Sequence, residues 1–263
     1  HPITGPERID MLDAIRGFAL FGILLMNLEA FNGPITGAMS GIDADLHGIN
    51  RWADGFIYIF VQGKFWTLFS LLFGIGFALM YERAKASGGD FTAVYKRRLW
   101  VLLGIGLMHF LLIWEGDILF NYAVAGFLLL WLLKSGRTPR LASVAALYCV
   151  PLALIALLAM VGDGGHGGAL AKELAEETLV QGHSGYGAVS AWRWRQFLQS
   201  LGSMIVLLPM TVAMFALGVR LHRTGQTRPL SGFESGAMIK AAALWCSGLA
   251  LMLLSVSIAP END

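Results

Sequence analysis

Seven apolar runs follow one another along this chain, and each is close in length to a helix that crosses a lipid bilayer. Such a helix needs about 20 apolar residues. Charged residues make up only 14% of the 263 residues and hydrophobic residues 56%, whereas a soluble domain carries about 25% charged residues. We therefore predict an all-α fold, a polytopic transmembrane helix bundle of about seven spans in one domain, residues 1–263. The predicted spans are residues 14–33, 56–80, 99–114, 117–133, 141–161, 197–220 and 237–258.

Lysine and arginine residues gather in every second segment between these runs. The segment between the second and third runs holds Arg83, Lys85, Lys96, Arg97 and Arg98. The opposite segments are richer in acidic residues, as in the turn 115–117 and the long segment 162–195, where ALAKELAEETLV predicts a short polar-faced helix. Since segments rich in Lys and Arg stay in the cytoplasm, we predict a cytoplasmic N-terminus and an extracytoplasmic loop at 162–195. A net charge of +1 gives no electrostatic reason for nucleic-acid binding.

Eight polar or ionisable residues fall in the predicted outer half of the spans. Such groups are costly in hydrocarbon and indicate a functional site by default. They are Asn27, Glu29, Gln62, Lys64, His109, Glu115, Asp117 and Asn121. His109 suits proton transfer because imidazole titrates near neutral pH, and Lys64 is the natural counter-charge for Glu115 or Asp117. Alternatively, the two carboxylates are solvated turn residues, His109 is a packed histidine, and Lys64 extends to the interface without a partner.

The opposite end of the predicted bundle is basic. Asp13 and Arg16 lie three residues apart and can pair on one helix, and Arg97 and Arg98 precede the third span. An arginine cluster there would attract a lipid phosphate or an anionic ligand such as a nucleotide-bearing cofactor. Alternatively, it is only a topology signal. The two cysteines show no zinc-type spacing, so no metal is expected.

Three stretches of the chain resemble the YeiB-like family of bacterial inner-membrane proteins. They are LDAIRGFALFGILLMN (12–27), KFWTLFSLLFGIGFAL (64–79) and RRLWVLLGIGLMHFLLIWEGDILFNYAVAG (97–126). The resemblance covers about residues 8–133 and implies a multi-pass protein of the bacterial inner membrane. Members of that family have a further C-terminal part with more spans, and this chain begins with His1 rather than Met. We therefore expect that terminal residues are missing from the given sequence.

The YeiB-like family is in turn distantly similar to transmembrane acyltransferases, including the heparan-alpha-glucosaminide N-acetyltransferases. Those enzymes share a first helix of the form LD-x-x-RG…N, which is matched here by Leu12, Asp13, Arg16, Gly17 and Asn27. The resemblance implies acyl-CoA as the donor on the cytoplasmic side and an acceptor on the other side. It also implies a catalytic histidine just before the second helix, where His47 is the nearest candidate.

The leading hypothesis is therefore an integral membrane acyltransferase that moves an acyl group from cytoplasmic acyl-CoA to an extracytoplasmic lipid or glycan. Its candidate catalytic residues are His109, His47 and Asp117. Its candidate substrate-binding residues are Asn27, Lys64, Glu115 and Asn121, and its candidate donor-binding residues are Arg16, Arg97 and Arg98. Two alternatives stay open, a small-solute or proton-coupled transporter and a non-enzymatic lipid-organising protein. Membrane lipid is the expected partner, and a homodimer is left open.

Overall fold

The computed structural model describes residues 10–39, 41–43, 45–133, 138–161 and 166–226. Within these residues the chain forms helices joined by turns, and no strand. In chain order the helices are α1 (Asp10–Asn32), α2 (Ile35–Ala38), α3 (Ile49–Phe56), α4 (Lys64–Ala86), α5 (Phe91–Met108), α6 (Leu119–Leu132), α7 (Leu141–Val161), α8 (His166–His183) and α9 (Tyr186–Arg223), with π-helical turns at Ile57–Val61 and His109–Ile113. The all-α class is confirmed, and the predicted span 237–258 lies outside the described residues.

Three helical segments among the described residues are long and apolar enough to cross a membrane, judged by length and composition. They are Leu12–Asn32, Ile49–Ala86 and Tyr186–Arg223. Two shorter apolar segments are Leu119–Leu132 and Leu141–Leu157. These helices suggest a membrane protein, and the number of about seven spans stays a prediction.

Helices α4 and α9 pack backbone against backbone through two glycines. A Cβ atom at Gly74 would overlap the carbonyl group of Phe215. A Cβ atom at Gly218 would overlap the carbonyl oxygen of Leu71 and come within 2.8 Å of the backbone nitrogen of Ile75. Small residues allow two helices to approach this closely, and van der Waals packing is the main source of helix association in lipid.

Aromatic side chains fill the space beside this contact. Phe73 stacks on Phe215 with ring centroids 4.5 Å apart, and Tyr122 of α6 lies edge-on to Phe215 at 5.2 Å. The hydroxyl groups of Tyr122 and Ser70 are 2.7 Å apart, and both side chains are fully buried. Helices α4, α6 and α9 therefore share one core.

Helices α5 and α6 form a tight hairpin, as the short turn between them predicts. A Cβ atom at Gly106 would overlap the backbone nitrogen of Phe120, so glycine allows the two helices to meet. The turn is longer than the sequence predicts, because α6 begins at Leu119. Asp117 therefore lies in the turn between the helices, and not inside the predicted span 117–133.

The predicted span 56–80 is interrupted in the structure. The helix breaks at Gln62 and Gly63, where Gly63 has a φ of +75°, a left-handed conformation that glycine adopts readily. Helix α4 begins at the next residue, Lys64, whose Nζ donates a hydrogen bond to the carbonyl oxygen of Tyr58 at 3.4 Å. The residues before the break thus form a separate helical segment.

The last two described helices also differ in extent from the sequence prediction. Helix α9 begins at Tyr186, well before the predicted start of that span at residue 197. Helix α8 occupies much of the segment 162–195, where a short polar-faced helix was expected. The predicted loop is therefore mostly helical.

The two ends of the bundle carry different charges. The arginine end holds Arg16, Arg83 and Arg98, and the acidic end holds Glu115 and Asp117. Helix α5 runs from the arginine end to the acidic end, because Arg98 lies in its first half and the hairpin turn follows its last residues. The two groups of candidate site residues therefore lie at opposite ends of one helix.

We expect Gly218→Ala to lower the free energy of unfolding by about 1–3 kcal/mol, because the added methyl group overpacks the α4–α9 contact. The matched control is Gly202→Ala on the same helix, where a Cβ atom meets no other atom within 4 Å. That change should leave stability equal or slightly higher, since alanine favours helix. Thermal unfolding in detergent measures both, and equal midpoints for the two variants would contradict the contact.

Candidate functional site

A histidine and a buried carboxylate pair at the acidic end. His109 is the first residue of the π-helical turn that ends α5, and its Nδ1 is 3.1 Å from Oδ1 of Asp117. The Asp117 side chain is buried, whereas the imidazole is partly exposed. The second oxygen of Asp117 accepts a hydrogen bond from the backbone nitrogen of Phe120 at 2.8 Å, which caps the beginning of α6.

Burial and hydrogen bonding shift the pKa of Asp117, which lies in the turn outside the helices, in opposite directions. Burial raises the pKa of this carboxyl group above its ordinary value, and this is the larger effect. Hydrogen bonds from the backbone of Phe120 and Leu119, together with His109, lower the pKa. When the carboxylate is ionised it can only accept, so Nδ1 of His109 carries the hydrogen and Nε2 has the free lone pair.

Glu115 lies in the same turn and is neutralised by a residue 78 positions later in the chain. Its Oε2 accepts from Nε of Arg193 at 3.1 Å, and its Oε1 accepts from Nε2 of Gln181 at 2.6 Å. Both charged side chains are largely removed from solvent, with 4% of Glu115 and 12% of Arg193 exposed. This is a buried ion pair, in which loss of either partner leaves an uncompensated charge.

The side-chain amide of Gln181 links Glu115 to a second buried carboxylate, that of Glu177. Gln181 also donates to Oε1 of Glu177 at 3.1 Å, and Glu177 is fully buried. Glu177 accepts from the backbone nitrogens of Ile35 at 2.6 Å and Thr36 at 3.2 Å. The network therefore fastens α8 to α2 and to the hairpin turn.

Glu115 pairs with Arg193 and Asp117 meets His109, and the prediction that Lys64 neutralises one of these carboxylates stays a prediction. Lys64 begins α4 beside the helix break and donates to the Tyr58 carbonyl. The sequence did not reveal the pairing of Glu115 with Arg193, because Arg193 lies 78 residues away and reaches the turn only through packing of α9.

The other predicted residues of the acidic end are more scattered. His47 is exposed in the loop before α3, and its Nδ1 is 2.8 Å from the carbonyl oxygen of Asp45. Asn27 is half-buried on α1. Asn121 lies one turn into α6, and its side-chain oxygen is buried and has no hydrogen-bond partner among the described residues. The structure thus joins His109 and Asp117 directly, whereas His47 contacts the backbone of its own loop.

A cavity of about 480 Å³ lies at the arginine end between α1, α4 and α5. Arg16, Arg83 and Arg98 line it together with Asp13 and Tyr95. Its apolar walls come from Leu12, Phe69, Leu72, Phe73, Phe77, Leu79, Leu99 and Leu102. The volume is typical of small-molecule sites, which are largely apolar with a few convergent polar groups.

Three arginines against one carboxylate give the lining of this cavity a net positive charge, which suits an anionic group. Arg16 pairs with Asp13 at 3.0 Å and extends over Gly76, where a Cβ atom would lie 3.1 Å from its Nη2. The buried hydroxyl group of Tyr95 has no hydrogen-bond partner among the described residues. Arginine binds phosphate through several N–H groups at once. A phosphate-bearing molecule with an apolar arm therefore fits the chemistry of the lining.

Two of the three predicted arginines line this cavity. Arg16 and Arg98 are among its residues, whereas Arg97 is exposed and is not part of the lining. Arg83 and Tyr95 were missed, although Arg83 follows Gly76 and Met80 at the helical spacings of seven and three residues. Arg193, Gln181 and Glu177 of the acidic end were missed as well.

Comparison with known proteins finds relatives among uncharacterised bacterial proteins. The chain is 39% identical over 154 residues to the uncharacterised protein YxaH of Bacillus subtilis, covering 56% of this chain and 38% of YxaH. It is 35% identical over 169 residues to the uncharacterised protein YeiB of Escherichia coli, covering 60% of this chain and 40% of YeiB. No family model and no solved structure matches.

These relatives support the resemblance to the YeiB-like family at 35–39% identity over about half of the chain. The matching part spans less than half of the length of either relative. The activity, substrates and partners of the whole protein are therefore matters for proposal.

Arg193→Gln should lower the free energy of unfolding by about 3–5 kcal/mol, because it leaves the buried Glu115 carboxylate without its counter-charge. Arg195→Gln is the matched control. Its pair with Glu176 is 62% and 47% exposed, so its loss should cost about 0–1 kcal/mol. Adding Glu115→Gln to Arg193→Gln should recover part of the loss. Additive effects in this double-mutant cycle, measured by unfolding in detergent, would contradict the pairing.

Proposed function

We propose that the protein is a membrane acyltransferase that takes an acyl group from acyl-CoA at the arginine end and passes it to an acceptor at the acidic end. The observation that carries this proposal is the placement of two complementary sites along α5. An arginine-lined cavity with apolar walls lies at one end, and a histidine oriented by a buried carboxylate lies at the other.

The arginine-lined cavity supports the donor half of the proposal. Arg16, Arg83 and Arg98 would hold the phosphate groups of acyl-CoA, and the apolar walls would receive its thioester arm. Leu102 is the last residue of α5 that lines the cavity and lies seven residues before His109. At 1.5 Å per residue, about 10 Å along α5 separates the two positions. A thioester arm that extends from the cavity along α5 would therefore approach the level of His109.

The His109–Asp117 pair supports the chemical half. Asp117 holds the imidazole by Nδ1, so Nε2 can accept the proton of an acceptor hydroxyl or amine. The freed oxygen or nitrogen attacks the thioester carbonyl carbon, a C–O or C–N bond forms, and the C–S bond breaks. His109 then returns the proton to the departing sulfur, which balances the reaction. Asn121, whose buried side-chain oxygen has no hydrogen-bond partner among the described residues, and Asn27 are proposed to orient the acceptor.

The proposed orientation follows from the charge of the two ends. The arginine end would face the cytoplasm of a bacterial cell and the acidic end the other side of the inner membrane, with about seven spans between them. A lipid or glycan is the proposed acceptor class.

A second candidate function, a transporter, is favoured by one observation. The helix break at Gln62 and Gly63 gives a discontinuous helix, a device that transporters use to bind solutes and ions. Transporters usually pair two such helices related by internal symmetry, and the sequence shows no convincing internal repeat. The acyltransferase is therefore the better supported of the two.

Arg98→Gln should weaken the binding of acetyl-CoA about tenfold or more, because a hydrogen bond between charged groups contributes about 1.5–3 kcal/mol. Arg97→Gln is a close control, since it removes the same charge from the adjacent residue, which does not line the cavity. Isothermal titration of both variants in detergent measures the difference. Equal acetyl-CoA affinity of the two variants would show that the cavity is not the donor site, and the arginines would then be only a topology signal.

His109→Gln should reduce acyl transfer about 10²–10⁴-fold, the usual contribution of a general base, and should leave acetyl-CoA binding unchanged. Release of the CoA thiol in the presence of a bacterial membrane lipid extract gives the rate. His47→Gln serves as the control and should have little effect. Loss of transfer in the His47 variant alone would assign the base to His47. Absence of transfer by the unmodified chain would leave the transporter and lipid-organising alternatives.

A further inference from the structure

The segment Ile49–Ala86 is too long for one straight crossing of a membrane. Its 38 residues would extend about 57 Å as a continuous helix, whereas the hydrocarbon core is about 30 Å thick. Helix α4 alone has 23 residues, which extend about 35 Å and suffice for the crossing. The break at Gln62 and Gly63 divides the segment at the point where the extra length begins.

The part before the break is amphipathic. Ile49, Trp52, Phe56 and Phe60 follow one another at intervals of three or four residues and so form one apolar stripe along α3 and the π-helical turn. Ile49 is 83% exposed and Trp52 81% exposed. The rings of Phe56 and Phe60 lie together, with centroids 5.1 Å apart.

The opposite side of α3 is polar and is held by the protein. Asp54 is buried, and its Oδ2 accepts a hydrogen bond from the backbone nitrogen of Asp43 at 2.8 Å. Asn50 is exposed and lies about 160° around the helix from Trp52. Because the polar side faces the loop before α3, the apolar stripe is directed away from it. Within the described residues no side chain covers Ile49 or Trp52.

We propose that α3 and the following π-helical turn lie along the membrane surface, with the stripe Ile49, Trp52, Phe56 and Phe60 buried in the lipid of the leaflet at the acidic end. The occupant is lipid because the stripe leads directly into the apolar helix α4. A tryptophan on the apolar face of an amphipathic helix is typical of an interfacial segment. The boundary of the span then falls at Gln62 and Gly63, so that the predicted span 56–80 begins too early.

This placement explains two features of the break. The Gly63 conformation turns the chain from the surface into the bilayer, which a non-glycine residue would resist. Lys64, the first residue of α4, then has its ammonium group at the level of the headgroups, where its bond to the Tyr58 carbonyl satisfies part of the interrupted backbone. The inference does not depend on the proposed function.

Spin labels test this placement in the full chain reconstituted in phospholipid nanodiscs. Both cysteines, Cys149 and Cys246, are first replaced by serine, and single cysteines are introduced at Trp52, Asn50 and Val101. Val101 of α5 is 57% exposed. It lies between Leu99 and Leu102, which line the cavity together with residues from the middle of α4, so it calibrates the centre of the bilayer. Collision with oxygen and with a water-soluble nickel complex gives the depth of each nitroxide.

A label at position 52 should lie about 5–10 Å below the headgroup boundary, between the aqueous label at position 50 and the deep label at position 101. Three results would overturn the proposal. If the label at position 52 were as accessible to the nickel complex as the label at position 50, α3 would lie in water. If position 52 were as deep as position 101, α3 would lie inside the span. An immobile label shielded from both reagents would mean that protein, such as a second copy of the chain, covers the stripe.

Discussion

The contact between Gly74 and Gly218 is the constraint on which the rest of the bundle depends. Gly74 meets the Phe215 carbonyl and Gly218 meets the backbone of α4, so neither helix can rotate about its axis without losing the close approach. Gly76 lies two residues further along α4, which is about 200° around the helix. The orientation of α4 that places Gly74 against α9 therefore also places Gly76 against Arg16 of α1. Gly76 forms part of the cavity wall there.

The acidic end depends on a second constraint, the pairing of buried charges. Glu115 pairs with Arg193, and Glu177 accepts two backbone hydrogen bonds, so neither carboxylate is left without partners. Glu115 and Asp117 share one short turn. Anchoring Glu115 to α8 and α9 therefore also fixes the turn that presents Asp117 to His109. Since breaking one partner of a buried pair is costly, the network holds the geometry on which the proposed chemistry relies.

The candidate site was predictable where its contacts are local. His109 and Asp117 are eight residues apart, one at the end of α5 and the other in the hairpin turn, and the structure joins them at 3.1 Å. The pairing of Arg193 with Glu115 was not predicted, because a short list of ionisable residues does not tell which helix faces which. Arg97 and Arg98 differ by about 100° around α5. The sequence contains both, and only the packing of α4 and α1 decides that Arg98 lines the cavity.

The sequence by itself determined the helical class, the apolar segments, the tight hairpin and the separation of basic and acidic ends. These follow from composition, from hydrophobic run length and from turn length, which are local properties of the chain. The tertiary structure alone decided the break at Gly63, the length of α9, the partners of Glu115 and the lining of the cavity. Those features depend on the rotation and depth of each helix. Both are set by contacts between residues far apart in sequence, such as the hydrogen bond from the backbone nitrogen of Ile35 to Glu177, which spans 142 residues.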